Sequence, residues 1–398
     1  MSAPLTLPAP DASALVHSEH LRGLITAEIE AHQGWLPFRR YMELALYAPM
    51  LGYYVAHSRK FGRSGDFVTA PEVSPLFARC LARSCEDVLT QLGGGMILEL
   101  GAGSGALATH LLQELAVLDA LPERYLILEI SPDLRQRQAQ RLASLDEHLR
   151  QRVCFITELP AEGTFSGLIL ANEVLDAMPV ERFCVWPDIP SPRVKQLGVV
   201  MHNGAFDWQA RPAPASMRHH IEYLYQESGH CWPAAYCSEY NPMLAPWIKA
   251  LADSLHQGLV LLIDYGYPRR EYYAPQRTQG TLLGYYRHRV VQDLLLWPGL
   301  MDLTAHVDFT TVAEAALDNA LALIGYTTQA WFLLDAGLEQ VLAASPTDSM
   351  AAQLAQANEV KRLTLPGEMG ERFQVMGLGR GLHAPIRGFN GQDLRSRL

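Results

Sequence analysis

Short apolar runs separated by stretches of helical period dominate the chain from residue 96 onward. Met96-Ile97-Leu98-Glu99-Leu100 is the first of them, and similar runs recur at 125–130, 153–156, 167–171, 259–264, 326–332 and 373–379. Strands that alternate with helices in this way predict a doubly wound, mostly parallel α/β sheet. Upstream, Ser18 is placed to cap a helix whose apolar positions Leu21, Leu24, Ile25 and Ile29 fall on one face, and a second helix is predicted over 75–91. Between them, 38–86 mixes aromatic residues with glycines. The alternation breaks at 181–235, where Arg182-Phe183-Cys184-Val185-Trp186 and Lys195-Gln196-Leu197-Gly198-Val199-Val200 read as an antiparallel insertion closed by the Asn203-Gly204 turn. The expected organisation is a helical N-terminal region (1–92), a core (93–180 with 236–385), a substrate-selecting insertion (181–235) and a tail (386–398).

The first run leads into Gly101-Ala102-Gly103-Ser104-Gly105 and then an apolar helix. Alternating glycines let the backbone turn sharply and approach a ligand, while the free N–H groups of the following helix favour an anionic or polar group. The loop therefore predicts a nucleotide cofactor, and two kinds fit. Gly103-Ser104-Gly105-Ala106-Leu107-Ala108 satisfies the dinucleotide pattern. Glu99, however, is awkward beside a pyrophosphate and suits a cofactor carrying a cationic amino group, such as S-adenosylmethionine (SAM). Glu129 ends the next run, near the point roughly 20 residues on where a ribose-binding carboxylate is expected, and serves either ligand.

Composition narrows the partners. The 398 residues carry a formal charge of −10, which disfavours a general grip on nucleic acid. The basic cluster Arg269-Arg270 and Arg287-His288-Arg289, flanked by tyrosines at 272, 273, 285 and 286, reads as a solvated face or a contact for an acidic partner. No run reaches the roughly 18 apolar residues of a membrane span, and no secretory or transit pattern opens the chain, so a cytoplasmic protein is expected. The six cysteines, at 80, 85, 154, 184, 231 and 237, show no C-x-x-C pair and no metal spacing, which predicts reduced thiols and no metal.

Ligands of open α/β sheets sit outside the carboxyl ends of the strands, so polar residues just after apolar runs are the candidates for chemistry. Asn172-Glu173-Val174-Leu175-Asp176 follows one run, and Asp264-Tyr265-Gly266 follows another. A carboxylate pair can hold a guanidinium in bidentate fashion and aim one nitrogen. Glu173 and Asp176 lead as that pair, with Asp264, Glu239 and Asp66 behind them. The competing structural reading has Asp176 capping a helix near Pro179. His306 and Asp308, two apart and on one side of any strand, could take up a proton or form a structural hydrogen bond.

Several of these segments together resemble the MidA-like family of class I SAM-dependent methyltransferases, which includes a mitochondrial complex I assembly factor. The resemblance is carried by Met42 to Tyr47 with Gly52-Tyr53-Tyr54, by Gly65-Asp66-Phe67-Val68-Thr69-Ala70-Pro71-Glu72-Val73-Ser74, by Glu99 to Gly105, by Asn172 to Pro179, by Ile263-Asp264-Tyr265-Gly266 and by Leu303 to Phe309. It implies a seven-stranded Rossmann-like core with a helical N-terminal part. It further implies SAM as methyl donor, held by Glu99, Gly101, Gly103, Gly105 and Glu129, with Gly65, Asp66, Phe67, Asn172 and Glu173 closing over it. By the same likeness the acceptor is an arginine of a protein, such as a respiratory-complex subunit.

Overall fold

A computed structural model describes residues 7–56, 69–186 and 193–398. The chain forms two compact units, one of residues 68–176, 244–268 and 307–398, the other of residues 1–67, 177–243 and 269–306.

The first unit is built on seven strands: β1 (Met96–Leu100), β2 (Tyr125–Leu128), β3 (Val153–Ile156), β4 (Phe165–Asn172), β5 (Leu255–Tyr267), β6 (Ala322–Thr328) and β7 (Phe373–Arg380). Their order is β6-β7-β5-β4-β1-β2-β3, with β7 antiparallel to both neighbours and the β5-β4-β1-β2-β3 pairs parallel. This is the expected doubly wound α/β core. On one face, Ile97, Leu168, Leu170, Leu259 and Leu261 pack with Leu81, Cys85 and Val88 of helix α1 (Pro75–Leu92) and Leu107, Leu111 and Leu115 of helix α2 (Ala106–Val117) in one buried cluster. Glycine is obligatory where three strands pass at one level. A Cβ on Gly167 (φ +138°) would lie 1.9 Å from the Met96 carbonyl oxygen.

Two boundaries differ from expectation. The predicted strand 326–332 ends at Thr328, whose hydroxyl accepts from Trp331 N at 3.4 Å and caps a helix over Gln329–Asp335. The apolar run Ala330-Trp331-Phe332-Leu333-Leu334 thus belongs to a helix, and periodicity over so short a run could not separate the two. The stretch 302–309 is not one strand: Asp302–Thr304 pairs with Leu283–Tyr285 in one unit, and Val307–Asp308 pairs with the end of β5 in the other.

In the second unit the N-terminal helix runs Ala12–Ala31, with Asp11 as its cap accepting from Ala14 N at 2.9 Å. Ser18, expected as the cap, is a buried residue within that helix and donates to the Pro298 carbonyl at 3.0 Å. The antiparallel insertion forms as expected around Asn203-Gly204, both at positive φ, with Arg193–His202 pairing with Ala205–Pro212. Its sheet also takes in Leu36–Pro37 and Tyr236–Tyr240, so the strands of 181–235 are not a separate layer. Cys184 and Cys237, directly opposed on neighbouring strands, form a disulfide, contrary to the expectation of six reduced thiols. Their 53-residue separation hides a pairing that only strand register creates. Arg269, expected on a solvated face, is buried and donates to the Tyr223 hydroxyl at 3.1 Å. Among the described residues no helix is long and apolar enough to cross a membrane.

Candidate cofactor and acceptor site

The strand order reverses between β4 and β1, and the glycine loop leaves β1 at that point. Gly101, Gly103 and Gly105 all take positive φ (63°, 54° and 79°), a region that a Cβ disfavours. The loop is also closely flanked. A Cβ on Gly101 would stand 3.2 Å from Val174 Cγ2, and one on Gly105 would stand 3.4 Å from Gln138 Cα. Gly105 opens α2, and its carbonyl accepts from Thr109 N at 3.1 Å and Thr109 Oγ1 at 2.7 Å. The first N–H groups of α2 have no partner within the helix and are the donors such a loop offers to a ligand.

Two acids flank this loop, both buried. Glu99 accepts from the Tyr125 hydroxyl at 2.7 Å. Burial pushes its carboxyl up to about 7, with the Tyr125 bond pulling it down and the Glu129 charge pushing it further up. Glu129, just past β2, accepts from Ser131 N at 2.9 Å and from Gln138 Nε2 at 3.0 Å.

At the end of β4, Glu173 adopts φ +53°, which is uncommon for a residue with a side chain and concentrates at functional sites. Its N–H donates to the Ile263 carbonyl at 2.9 Å, and its carboxylate accepts from Asn172 Nδ2 at 3.2 Å. Asn172 Oδ1 is buried and has no partner, so this amide offers an acceptor to a bound group. Asp264, fully buried on β5, is committed to the backbone. Its Oδ2 accepts from Val174 N (3.1 Å), Leu175 N (2.8 Å) and Asp176 N (3.2 Å), and its Oδ1 accepts from Tyr265 N (2.8 Å). Burial raises this carboxyl to about 7, partly offset by those N–H donors. Asp176 is buried, and the next regular element is the strand Glu181–Trp186, so it caps no helix near Pro179.

Asp308 is the N-cap of helix Phe309–Asp318, accepting from Thr310 N at 3.0 Å, Thr311 N at 3.3 Å and Thr311 Oγ1 at 2.8 Å. His306 and Glu239 belong to the other unit. There Glu239 Oε1 accepts from Thr281 N and Thr281 Oγ1, both at 2.7 Å, and His306 N donates to Thr281 Oγ1 at 2.9 Å. Gly65, Asp66 and Phe67 lie outside the described residues.

Sequence reading missed three residues that grip the glycine loop. On helix α3 (Pro132–Leu142), Gln138 Nε2 donates to the Gly103 carbonyl at 3.0 Å as well as to Glu129. One turn on, Arg141 donates to Ser104 Oγ and to Glu72 Oε1, each at 3.0 Å, and Ser104 also donates to Glu72. Gln138 had a legible signal, because it interrupts the buried stripe Leu134-Gln138-Leu142 at positions where a leucine would pack. Glu72 lies in the segment 65–74 that carries the family resemblance, but neither it nor Arg141 shows by its type or spacing that the two meet at Ser104.

A glycine loop at the switch point of a doubly wound sheet, flanked by a buried acid at each strand end, defines a Rossmann-like protein that binds a nucleotide cofactor. A family model of S-adenosyl-L-methionine-dependent methyltransferases matches residues 80–327. The chain is 40% identical to a Burkholderia thailandensis protein crystallised with S-adenosyl-homocysteine, with a TM-score of 0.91, covering 99% of this chain and 100% of that one. It is 30% identical to protein arginine methyltransferase NDUFAF7 of Danio rerio over 86% of this chain and 82% of the relative, and 27% identical to the Drosophila melanogaster homologue over 96% and 91%. The chain belongs to the MidA-like family of SAM-dependent methyltransferases, and SAM is its cofactor. The dinucleotide alternative is thereby set aside.

Proposed function

We propose that this chain methylates a guanidinium nitrogen of an arginine in a protein partner, such as a respiratory-complex subunit or another assembly partner, in a bacterial cytoplasm. The observation that carries this reading is Glu173, a half-buried carboxylate held in a left-handed conformation at the end of β4. A carboxylate there complements a cationic acceptor and can fix its orientation. The mitochondrial relatives, which are named protein arginine methyltransferases, support the same acceptor.

SAM supplies an electrophilic methyl group on a sulfonium. The roles left to the chain are binding, alignment and charge complementarity. In this reading Glu129 holds the ribose hydroxyls, Gly101, Gly103 and Gly105 let the backbone approach the cofactor, Glu99 faces its amino group and Asn172 offers its unpartnered oxygen. Glu173, with Asp176 beside it, orients the acceptor. Asp264 acts as a positioning residue, since its Oδ2 accepts from three consecutive N–H groups and so fixes the turn from Val174 to Asp176 that follows Glu173. Asp308, occupied as a helix cap, has no part in the transfer.

The test is incubation of the purified protein and methyl-labelled SAM with lysate from a strain lacking it, followed by hydrolysis of labelled proteins. Methylarginine in one band, absent with Glu173→Gln although that variant still binds S-adenosylhomocysteine, is the expected result. Label in RNA or a metabolite would replace the acceptor assignment. No enzyme-dependent label anywhere, with cofactor binding intact, would favour a cofactor-bound assembly factor that turns nothing over.

A further inference from the structure

We infer that Gln138 is a positioning residue for the cofactor, which sets the spacing between the glycine loop and the ribose carboxylate. Its amide is fully buried, and its Nε2 spends both hydrogens across that gap, donating to the Gly103 carbonyl and to Glu129 Oε2, each at 3.0 Å. Two acceptors converging on one atom fix which end of the amide is the NH2 group. The other end, Oε1, is buried with no partner. An unsatisfied buried oxygen is destabilising, and the flanking positions of the helix, Leu134 and Leu142, are buried leucines. Packing alone would favour a third leucine at this site. What the glutamine adds over a leucine is its two hydrogen bonds, which tie the glycine loop to Glu129.

The backbone repeats the message. Gln138 lies beside Gly105, where an added Cβ would stand 3.4 Å from Gln138 Cα, and Arg141, three residues further along the same helix, donates at 3.0 Å to Oγ of Ser104, the residue after Gly103. Helix α3 thus fixes consecutive loop residues while orienting Glu129. A bidentate carboxylate–diol contact depends on placement to within a few tenths of an ångström, and Gln138 supplies that placement without touching the ligand. The inference rests on the reading that Glu129 holds the ribose hydroxyls.

The test is calorimetric titration of the full-length protein with S-adenosylhomocysteine and with its 2′-deoxyribose analogue, for wild type, Gln138→Leu, Gln138→Glu and Glu129→Ala. Gln138→Leu should weaken S-adenosylhomocysteine binding by about ten- to a hundred-fold, the range expected for losing a hydrogen bond to a charged group. It should also shrink the penalty for removing the hydroxyl, because an unanchored Glu129 no longer reads it. The melting temperature of the ligand-free variant should fall, because the Glu129 carboxylate and the Gly103 carbonyl lose their donor, so the deciding readout is the lost discrimination between the two ligands, which a merely structural residue would not change. Should Gln138→Leu fail to fold, Gln138→Glu keeps the shape and replaces the NH2 donor with an oxygen. It should bind more weakly, and more so at pH 8 than at pH 5, because two carboxylates then face each other. Wild-type affinity, or wild-type discrimination between the two ligands, in the variant that folds would overturn the inference. Unchanged binding by Glu129→Ala would instead overturn the reading beneath it.

Discussion

Replacing Glu99 by Gln should stabilise the ligand-free protein at high pH and do little at low pH. The carboxyl titrates near 4.5 when free and near 7 in the fold, where burial outweighs the hydrogen bond from Tyr125. A raised acid pKa means that the folded state holds the proton more tightly than the unfolded chain, so stability falls as pH rises from about 4.5 to 7 and then levels off. At about 1.4 kcal/mol per pH unit, the full effect is of the order of 3 kcal/mol, and its growth between pH 5 and pH 8 is about 2 kcal/mol. Gln keeps the size of the side chain and an oxygen for the Tyr125 hydroxyl, but cannot ionise. Urea unfolding of wild type and Glu99→Gln at pH 5 and pH 8 measures the difference. Asp264, also raised to about 7, leaves its own slope in both proteins and cancels in the comparison. In the proposed role of Glu99 toward the cofactor's amino group, wild-type affinity for S-adenosylhomocysteine should rise with pH up to about 7, and the variant's should rise less. A stability gap equal at the two pH values would refute the reasoning, since it would mean that Glu99 is not protonated in the ligand-free fold.

Three further substitutions separate binding from architecture. Gly103→Val, which forces a β-branched residue to φ +54°, should abolish S-adenosylhomocysteine binding while leaving the far-ultraviolet circular dichroism of the core unchanged; normal affinity would remove the loop from the site. Asp264→Ala leaves the N–H groups of Val174, Leu175 and Asp176 without their acceptor and should cost about 2–4 kcal/mol, with faster hydrogen exchange at those three amides; exchange at the wild-type rate would count against its positioning role. Asp308→Ala should lose about 1 kcal/mol of stability, the usual value of a helix cap, at unchanged cofactor affinity; a large drop in affinity or transfer would return Asp308 to the chemistry.

The sequence by itself determined the alternating strands and helices, the glycine loop and the two acids at the ends of β1 and β2. These are local features: an apolar run, a backbone that must turn without a Cβ, and a polar residue immediately after a strand. Their motifs also carried the family. What tertiary structure decided was which polar groups face one another. Asp264 looks like any acid after a strand until register brings it beneath the three N–H groups of Val174, Leu175 and Asp176, and Asp308 looks like a partner for His306 until the chain turns into a helix that it caps. Cys184 and Cys237 meet only because their strands pair, and Glu72, Ser104 and Arg141 meet only because α3 packs on the loop. Side-chain hydrogen bonds and disulfides act over a few ångströms between residues tens to hundreds apart in the chain, so their partners are fixed by packing and register, and no local pattern encodes them.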